Sequence, residues 1–218
     1  MKYLGFSTPG AGQAKTAQPY HKPPGAYLHV AGSSLSKGTS AVISAWEKHP
    51  EWPPLTIVAN NPLVERPLPA NIELRKNLSS KDMEKLWRRT SVAIIPSEVE
   101  GYGQVLGEAM LAGAVIITTD APPMNELVTA RRGYLVPWSE ERPWRLGTRY
   151  KVTADALESC LLKVLEEPRD TVEAKAREAY LWALDNHQAF AQRLSMFIKS
   201  AAPQKTPLAN RENADQHG

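Results

Sequence analysis

The stretch from residue 91 to residue 120, SVAIIPSEVEGYGQVLGEAMLAGAVIITTD, most constrains what this chain can fold into. It contains two apolar segments, Val92–Pro96 and Val115–Thr119, separated by a glycine-bearing turn and a helical pattern from about Gln104 to Ala112. Apolar strands without polar alternation are typical of parallel sheets that are covered on both faces. The stretch therefore predicts a strand, a turn, a helix and a second parallel strand.

The rest of the chain continues this alternation of strands and helices. Further strands are expected near residues 26–32, 55–59, 71–74 and 134–136. Further helices are expected at 39–48, from Ser79 or Ser80 onwards, from Pro123, and at about 153–167 and 170–200. This order predicts an α/β fold with a Rossmann-like, doubly wound parallel sheet followed by C-terminal helices. The segment 139–151 is expected to be a polar excursion outside the core.

Three regions are expected along the chain. Residues 1–25 are rich in Gly, Pro, Ser, Thr and Gln without periodicity, so we predict a linker or an extended arm. Residues 26–201 are predicted to form one domain, since a chain of 218 residues suits a single core. Residues 202–218 are polar, and we predict a disordered tail there.

Composition argues against several classes of protein. The formal net charge is +3, and no block of like charge indicates a nucleic-acid partner. No apolar run reaches the ~18 residues of a membrane span, and the N-terminus lacks a signal-peptide core, so a cytoplasmic protein is expected. The single cysteine, Cys160, excludes an internal disulfide, and its helical surroundings predict a core residue. Without a D-x-D pair or histidines at ligand spacing, neither a metal ion nor a cofactor is expected.

The turn EGYG comes directly after the first strand of the central stretch. In a doubly wound sheet, ligands bind at the carboxyl ends of the strands. Gly101 and Gly103 allow a left-handed backbone and close approach of a ligand, and the helix that follows presents free N–H groups to an anion. A phosphate group is one expected ligand. A strand–helix turn can also carry this glycine spacing for backbone geometry alone.

Glu108 makes the turn more informative. It is the one charged residue between Val105 and Ile117 in an otherwise apolar run. A buried carboxylate costs several kcal/mol unless it is paired or hydrogen-bonded, so Glu108 needs a partner. A ribose diol is one partner, because a carboxylate can accept from two neighbouring hydroxyls. A salt bridge to Arg or Lys, or simple exposure at the mouth of the helix, are the alternatives.

Two more charged residues are expected at this edge of the sheet. Glu100 lies in the turn itself, where it could accept from sugar hydroxyls or balance charge in a transition state; a solvated loop acid is the alternative. Lys37 lies in the first turn, GSSLSKG, at the start of a helix. Its ammonium group can reach a diphosphate as a point charge. The alternative for Lys37 is an exposed surface lysine.

The motif E-G-Y-G-x4-E-A-M-x-A-G, from residue 100 to residue 113, resembles the donor-binding domain of GT-B glycosyltransferases, in particular the large retaining group 1 family. The segments HVAG…KG and APPMNELV are similar to that family's first phosphate turn and next helix start. The resemblance covers about residues 26–136 and extends loosely to the C-terminal helices. It implies one Rossmann-like half of a GT-B fold, which binds a nucleotide sugar.

The resemblance implies a role for each matching residue. Glu100 and Lys37 would be catalytic, with Glu100 on the donor sugar and Lys37 neutralising the departing nucleoside diphosphate. Glu108 would hold the nucleotide ribose, and Asn77 and Leu78 would lie near the base. The remaining residues would bind sugar and phosphate from the two turns: Gly32, Ser33, Gly101, Tyr102, Gly103 and Gln104. The glycosyl group would be transferred with retention of configuration and without a metal ion.

Two departures from the family pattern affect these expectations. The family usually has an arginine where this chain has Ser33, which donates a hydrogen bond but carries no charge. Four arginines elsewhere are candidates to replace it: Arg131, Arg132, Arg145 and Arg149. The second departure is length, since a GT-B enzyme has two Rossmann-like domains and holds the acceptor on the first. We therefore expect the acceptor domain on another chain or on a missing segment, and an isolated chain without transferase activity.

Other functions fit the same residues. A non-catalytic or degenerate module could hold a nucleotide sugar without transferring it. Nucleotide-sugar epimerases share the GT-B architecture, but they also work between two domains, so this chain fits them no better. The sequence leaves the sugar, the base and the acceptor open.

Overall fold

The structure, a computed structural model, describes residues 4–13 and 19–201, and its centre is a six-stranded parallel sheet. The strands are β1 (Tyr27–Gly32), β2 (Leu55–Ala59), β3 (Ile72–Arg75), β4 (Val92–Ile95), β5 (Val115–Thr119) and β6 (Tyr134–Val136). They lie in the order β3-β2-β1-β4-β5-β6, and all five pairings are parallel. The predicted α/β fold with a doubly wound parallel sheet is confirmed.

Helices connect these strands and follow them. They are α1 (Thr39–Lys48), α2 (Ser80–Arg89), α3 (Gln104–Leu111), α4 (Met124–Leu127), α5 (Ala154–Glu166) and α6 (Arg169–Ala201). The hydroxyl of Ser79 accepts a hydrogen bond from the backbone N–H of Asp82 and so caps α2, which begins where the sequence predicted. Thr153 caps α5 in the same way.

Apolar layers cover both faces of the sheet. On one face, α1 and α5 bury Trp46 and Leu161 against the strands, and Cys160 lies in this layer as predicted. On the other face, α2 and α3 bury Trp87 and Met110. Strands β4 and β5 are buried along their whole length, which explains why their sequences are apolar without alternation.

The order of the strands reverses between β1 and β4, which is the switch point where doubly wound sheets bind ligands. The register between these strands covers two residue pairs, Tyr27 with Val92 and Leu28 with Ala93, whereas β1 and β2 are paired over five. Above these pairs, Nδ1 of the His29 ring lies 2.7 Å from the carbonyl oxygen of Ile94. The sheet therefore opens into a crevice at the carboxyl ends of β1 and β4.

Residues 140–151 form a hairpin that the sequence did not predict. Its antiparallel strands are β7 (Glu140–Trp144) and β8 (Gly147–Lys151). The expected polar excursion outside the core is correct in that β7 is exposed throughout and the tip residue Leu146 is fully exposed. The strands were missed because neither has an apolar face to indicate one.

Residues 4–13 belong to the predicted linker or arm, and they lie against the domain. A short 3-10 helix forms at Ala11–Gln13, and side chains of α6 donate hydrogen bonds to the carbonyl oxygens of Leu4 and Phe6. Residues 14–18 and the predicted tail, 202–218, lie outside the described residues. Within the described ranges, no helix has the length and apolar character needed to cross a membrane.

Candidate functional site

The carboxyl edge of the sheet carries two helix starts that face the crevice. Helix α1 begins after Gly38 and helix α3 after Gly103, and both glycines have left-handed backbones, with φ of 70° and 88°. Neither start has a side-chain cap among the described residues, although the N–H of Leu106 donates to the carbonyl oxygen of Gly103. Helix starts without a side-chain cap are suited to binding an anion. At Gly38 a side chain would collide with the carbonyl oxygen of Pro96, because the first turn packs directly on the end of β4.

Lys37 and Glu100 meet across this crevice. The ammonium group of Lys37 donates a hydrogen bond to Oε1 of Glu100, and the hydroxyl of Ser97 donates to the same oxygen over 2.7 Å. The two charged side chains are only 14% and 10% exposed. The structure therefore brings the two residues expected to be catalytic into one partly buried ion pair, with Ser97 holding the carboxylate in place.

Glu98 connects the glycine turn to the turn after β1 and to strand β8. Its backbone N–H donates to the carbonyl oxygen of Ser36 over 2.9 Å, and its own carbonyl oxygen accepts from the backbone N–H of Tyr150 over 2.7 Å. Its carboxylate forms an ion pair with Arg149 on β8. The hairpin β7–β8 is thus fastened to the loop that carries Glu100. Glu98 and Ser97 were not among the predicted site residues, since a lone acid or serine in a turn gives no sequence signal.

His29 lies beneath the first turn and is completely buried. Nδ1 donates to the carbonyl oxygen of Ile94, because that oxygen can only accept, and Nε2 therefore accepts from the hydroxyl of Thr39 over 2.9 Å. The pKa of His29 is lowered from 6.5 to about 4, first because burial disfavours the charged ring and also because Lys37 is near. His29 is thus a neutral support for the start of α1.

Glu108 lines a cavity of about 570 Å³ between α2 and α3. The side chain is half-buried, and Oε1 accepts a hydrogen bond from the amide of Gln104 over 3.0 Å. Among the described residues no Lys, Arg or His lies within salt-bridge distance of Glu108. Leu78, the expected neighbour of the base, lines the same cavity. Glu108 and Leu78, predicted for the ribose and the base, therefore line one cavity, whereas Asn77 is not among its lining residues.

The other predicted residues lie around the same edge. Gly32 has φ of 55°, and its carbonyl oxygen accepts from the backbone N–H of Asn60 over 2.7 Å. Ser33 and Gly101 are exposed. The backbone N–H of Asn77 donates to the Asn60 side chain over 3.1 Å, which fixes the loop after β3.

Among the contacts of the described residues, Arg149 is the candidate arginine that joins the loop carrying Glu100, through its ion pair with Glu98. Arg131 pairs with Glu178, and Arg132 packs over the ring of Trp182, both on α6. Arg145 is at the tip of the hairpin, with φ of 53°. In residues 4–13 and 19–201, no group of three His, Cys, Asp or Glu side chains is arranged to hold a metal ion.

Comparison with known proteins supports the expected family. Residues 60–142 match the family model "Glycosyl transferases group 1", which confirms the resemblance seen in the sequence. Curated protein sequences give no significant match to the chain.

Solved structures share the fold. A domain described as the C-terminal domain of a glycosyl transferase group 1 family protein from Francisella tularensis is 18% identical, with a TM-score of 0.58, and the match covers 81% of this chain and 95% of that one. HepE from Anabaena, solved with UDP and glucose, is 17% identical with a TM-score of 0.68 and coverage of 91% and 56%. At these identities the likeness establishes the fold.

The chain spans only part of the larger proteins that it resembles. It covers 37% of the matched chain in the GtfA/B complex and 49% of a sucrose-phosphate synthase from Thermosynechococcus elongatus. The match to the isolated Francisella domain is nearly complete by contrast. In fold, the chain therefore matches a single domain, as the isolated C-terminal domain from Francisella shows.

Proposed function

We propose that this chain, a domain of the group 1 glycosyltransferase family, binds a nucleoside-diphosphate sugar and presents it for glycosyl transfer. The observation that carries the proposal is the position of Glu108, a half-buried carboxylate with no Lys, Arg or His of the described residues within salt-bridge distance. It lines a cavity between α2 and the second half of α3, about one turn beyond the uncapped start of that helix. A ribose diol satisfies such a carboxylate, and a diphosphate satisfies free helix N–H groups. HepE, which shares the fold, was solved with UDP and glucose.

Lys37 and Glu100 carry the chemical part of the proposal. In the ion pair each neutralises the other, and a diphosphate that enters the crevice would compete with Glu100 for the ammonium group. Glu100 would then accept from a sugar hydroxyl, while Lys37 would stabilise the charge that develops on the departing diphosphate. Retention of configuration and transfer to an acceptor held by another domain remain parts of this proposal.

Arg149 would supply the positive charge that Ser33 lacks. Its Nε and one terminal nitrogen are used by Glu98, and a guanidinium group has five N–H donors in all. In this proposal a phosphate oxygen would accept from the other terminal nitrogen. The two contacts with the Glu98 carboxylate hold the guanidinium plane in place.

The proposal is tested by isothermal titration calorimetry of the chain with UDP, GDP and ADP and with the corresponding nucleotide sugars. We expect one nucleoside diphosphate to bind, and Glu108→Ala to weaken that binding. Absence of binding by all of them would refute the proposal. Release of nucleoside diphosphate from a bound nucleotide sugar, measured with and without a candidate acceptor, then separates a transferase domain from a non-catalytic binding module, the alternative function.

A further inference from the structure

The N-terminal arm, residues 4–13, runs along the side of α3 that carries the candidate site. The ring of Phe6 packs against the ring of Tyr102 in the glycine turn, with 3.9 Å between the ring centroids. Three and four residues further on, Pro9 and Gly10 line the same cavity as Glu108. The arm therefore contacts the predicted sugar-binding turn at one point and the predicted nucleotide cavity at another.

The arm is held in this position from two sides. Thr8 is 6% exposed and packs on Gly107 so closely that a Cβ atom at Gly107 would overlap the threonine hydroxyl. On the other side, α6 holds the arm, because Ser7 hydrogen-bonds the ring of His187 over 2.7 Å and the amide of Asn186 donates to the carbonyl oxygen of Phe6 over 2.9 Å. These contacts fix the arm at several points along its length.

Gly107 is the reason that the arm can lie this close to Glu108. It is in the interior of α3, where glycine weakens a helix relative to alanine. The absence of a side chain lets the backbone of α3 receive Thr8, and the next residue along the helix is Glu108. Gly107 thus leaves space for Thr8 on the surface of α3, directly beside the Glu108 carboxylate that faces the cavity.

We propose that the arm is a working part of the donor site: Pro9 and Gly10 close one side of the nucleotide cavity, and Phe6 positions Tyr102 in the turn that receives the sugar. The inference rests on the proposed function, and it assigns a part of the site to residues outside the sheet domain. A preformed wall and a braced turn favour binding, because the ligand does not have to order them. Phe6 acts through Tyr102 and is a positioning residue.

A substitution in α3 tests this without changing the arm. Gly107→Ala favours the helix but displaces Thr8, and we expect the affinity for UDP in calorimetry to fall by about tenfold. Thr8→Gly in the same chain makes room for the new methyl group, and the double variant is expected to recover most of the affinity. Hydrogen exchange followed by mass spectrometry on the peptide that contains residues 4–13 reports whether the arm has left α3. Ser159→Ala on α5, at the opposite face, is the control.

A second variant acts on the brace. Phe6→Ala should weaken binding of a UDP sugar more than binding of UDP, because Phe6 contacts the turn and not the cavity, and Phe6→Tyr should restore it. If Gly107→Ala releases the arm and the affinity for UDP is unchanged, the inference is overturned. Tighter binding of UDP would also overturn it, because it would show that the arm blocks the site. Equal affinities in Phe6→Ala and wild type would also overturn it. Failure of the unsubstituted chain to bind UDP, GDP or ADP would instead refute the proposed function, and this inference with it.

Discussion

The ammonium group of Lys37 donates a hydrogen bond to the carboxylate of Glu100, and this contact joins two segments that are 63 residues apart in the chain. Lys37 follows β1, and Glu100 follows β4, so the ion pair bridges the line where these strands diverge. Both side chains are mostly shielded from water. Each charge is therefore neutralised by the other until a charged ligand takes the place of one of them.

Removing Lys37 should act on the diphosphate specifically. We expect Lys37→Ala to lower the affinity for UDP by tenfold or more, because it removes a charge-assisted contact and leaves Glu100 facing the phosphates. The affinity for uridine, which has no phosphate, should change little. Calorimetry with both ligands measures the difference, and Lys48→Ala at the exposed end of α1 is the matched control. Equal losses for UDP and uridine would contradict a role on the diphosphate.

Glu108 is expected to bind the ribose hydroxyls of the nucleotide. Glu108→Gln keeps the size of the side chain and removes its charge, so affinity for UDP should fall by about tenfold, whereas affinity for 2′-deoxy-UDP should fall less. The measurement is the ratio of the two dissociation constants in the wild type and in the variant. Glu126→Gln, an exposed acid on α4, controls for net charge. A ratio that is the same in both proteins would exclude Glu108 from the ribose.

Arg149 is expected to contribute to anion binding from the hairpin. Arg149→Ala should weaken UDP binding by about three- to tenfold, since a guanidinium beside the crevice is lost and Glu98 is left unpaired. Arg145→Asn removes the same charge from the tip of the hairpin. Because salt screens long-range interactions, we expect little change in the affinity for UDP. If both variants bind UDP alike, the contribution of Arg149 is only its share of the net charge. In that case Ser33 has no replacement on this hairpin.

His29 should make the stability of the fold depend on pH. Its pKa is lowered to about 4 in the folded protein, so below pH 6.5 the unfolded chain takes up a proton that the folded chain does not. The free energy of unfolding should therefore fall as the pH falls from 6.5 towards 4, by about 3 kcal/mol in total. His29→Gln keeps a donor and an acceptor but does not titrate. Urea unfolding of both proteins at pH 7 and pH 4 measures the difference between their free energies of unfolding. We expect this difference to shrink at pH 4. A difference that is the same at both pH values would be inconsistent with a buried neutral imidazole.

Much of the fold was predictable from the sequence because the strands are buried on both faces. Short, largely apolar runs at β2, β4 and β5 are typical of interior parallel strands, and their alternation with helices indicated the layers. The carboxyl ends of β1 and β4 follow from the same topology, which is why Lys37 and Glu100 could be expected at one edge. Their direct contact could not be predicted, since it depends on side-chain conformation.

The hairpin and the docked arm were beyond the reach of sequence patterns. Strand β7 is exposed and β8 is only partly buried, and the hairpin is held by cross-strand bonds and by Glu98. Hydrophobic periodicity, the main sequence signal, is therefore absent. The arm has no regular structure apart from Ala11–Gln13, and its position is determined by long-range contacts with α3 and α6. Gly107 was the one local indication, as a glycine inside a helix suggests close approach by another segment.

The short register between β1 and β4 has a mechanical consequence. The sheet consists of two three-stranded blocks, and the backbone ladder between β1 and β4 covers two residue pairs. Beyond it, the His29 ring and the backbone hydrogen bond from Glu98 to Ser36 connect the two blocks. Bending and thermal opening should concentrate along this seam, which runs directly under the crevice. A ligand bound to Lys37 on one block and to the turn after β4 on the other would link the two blocks and restrict their relative motion. Occupancy of the crevice and rigidity of the sheet would then be coupled, and each would be measurable through the other.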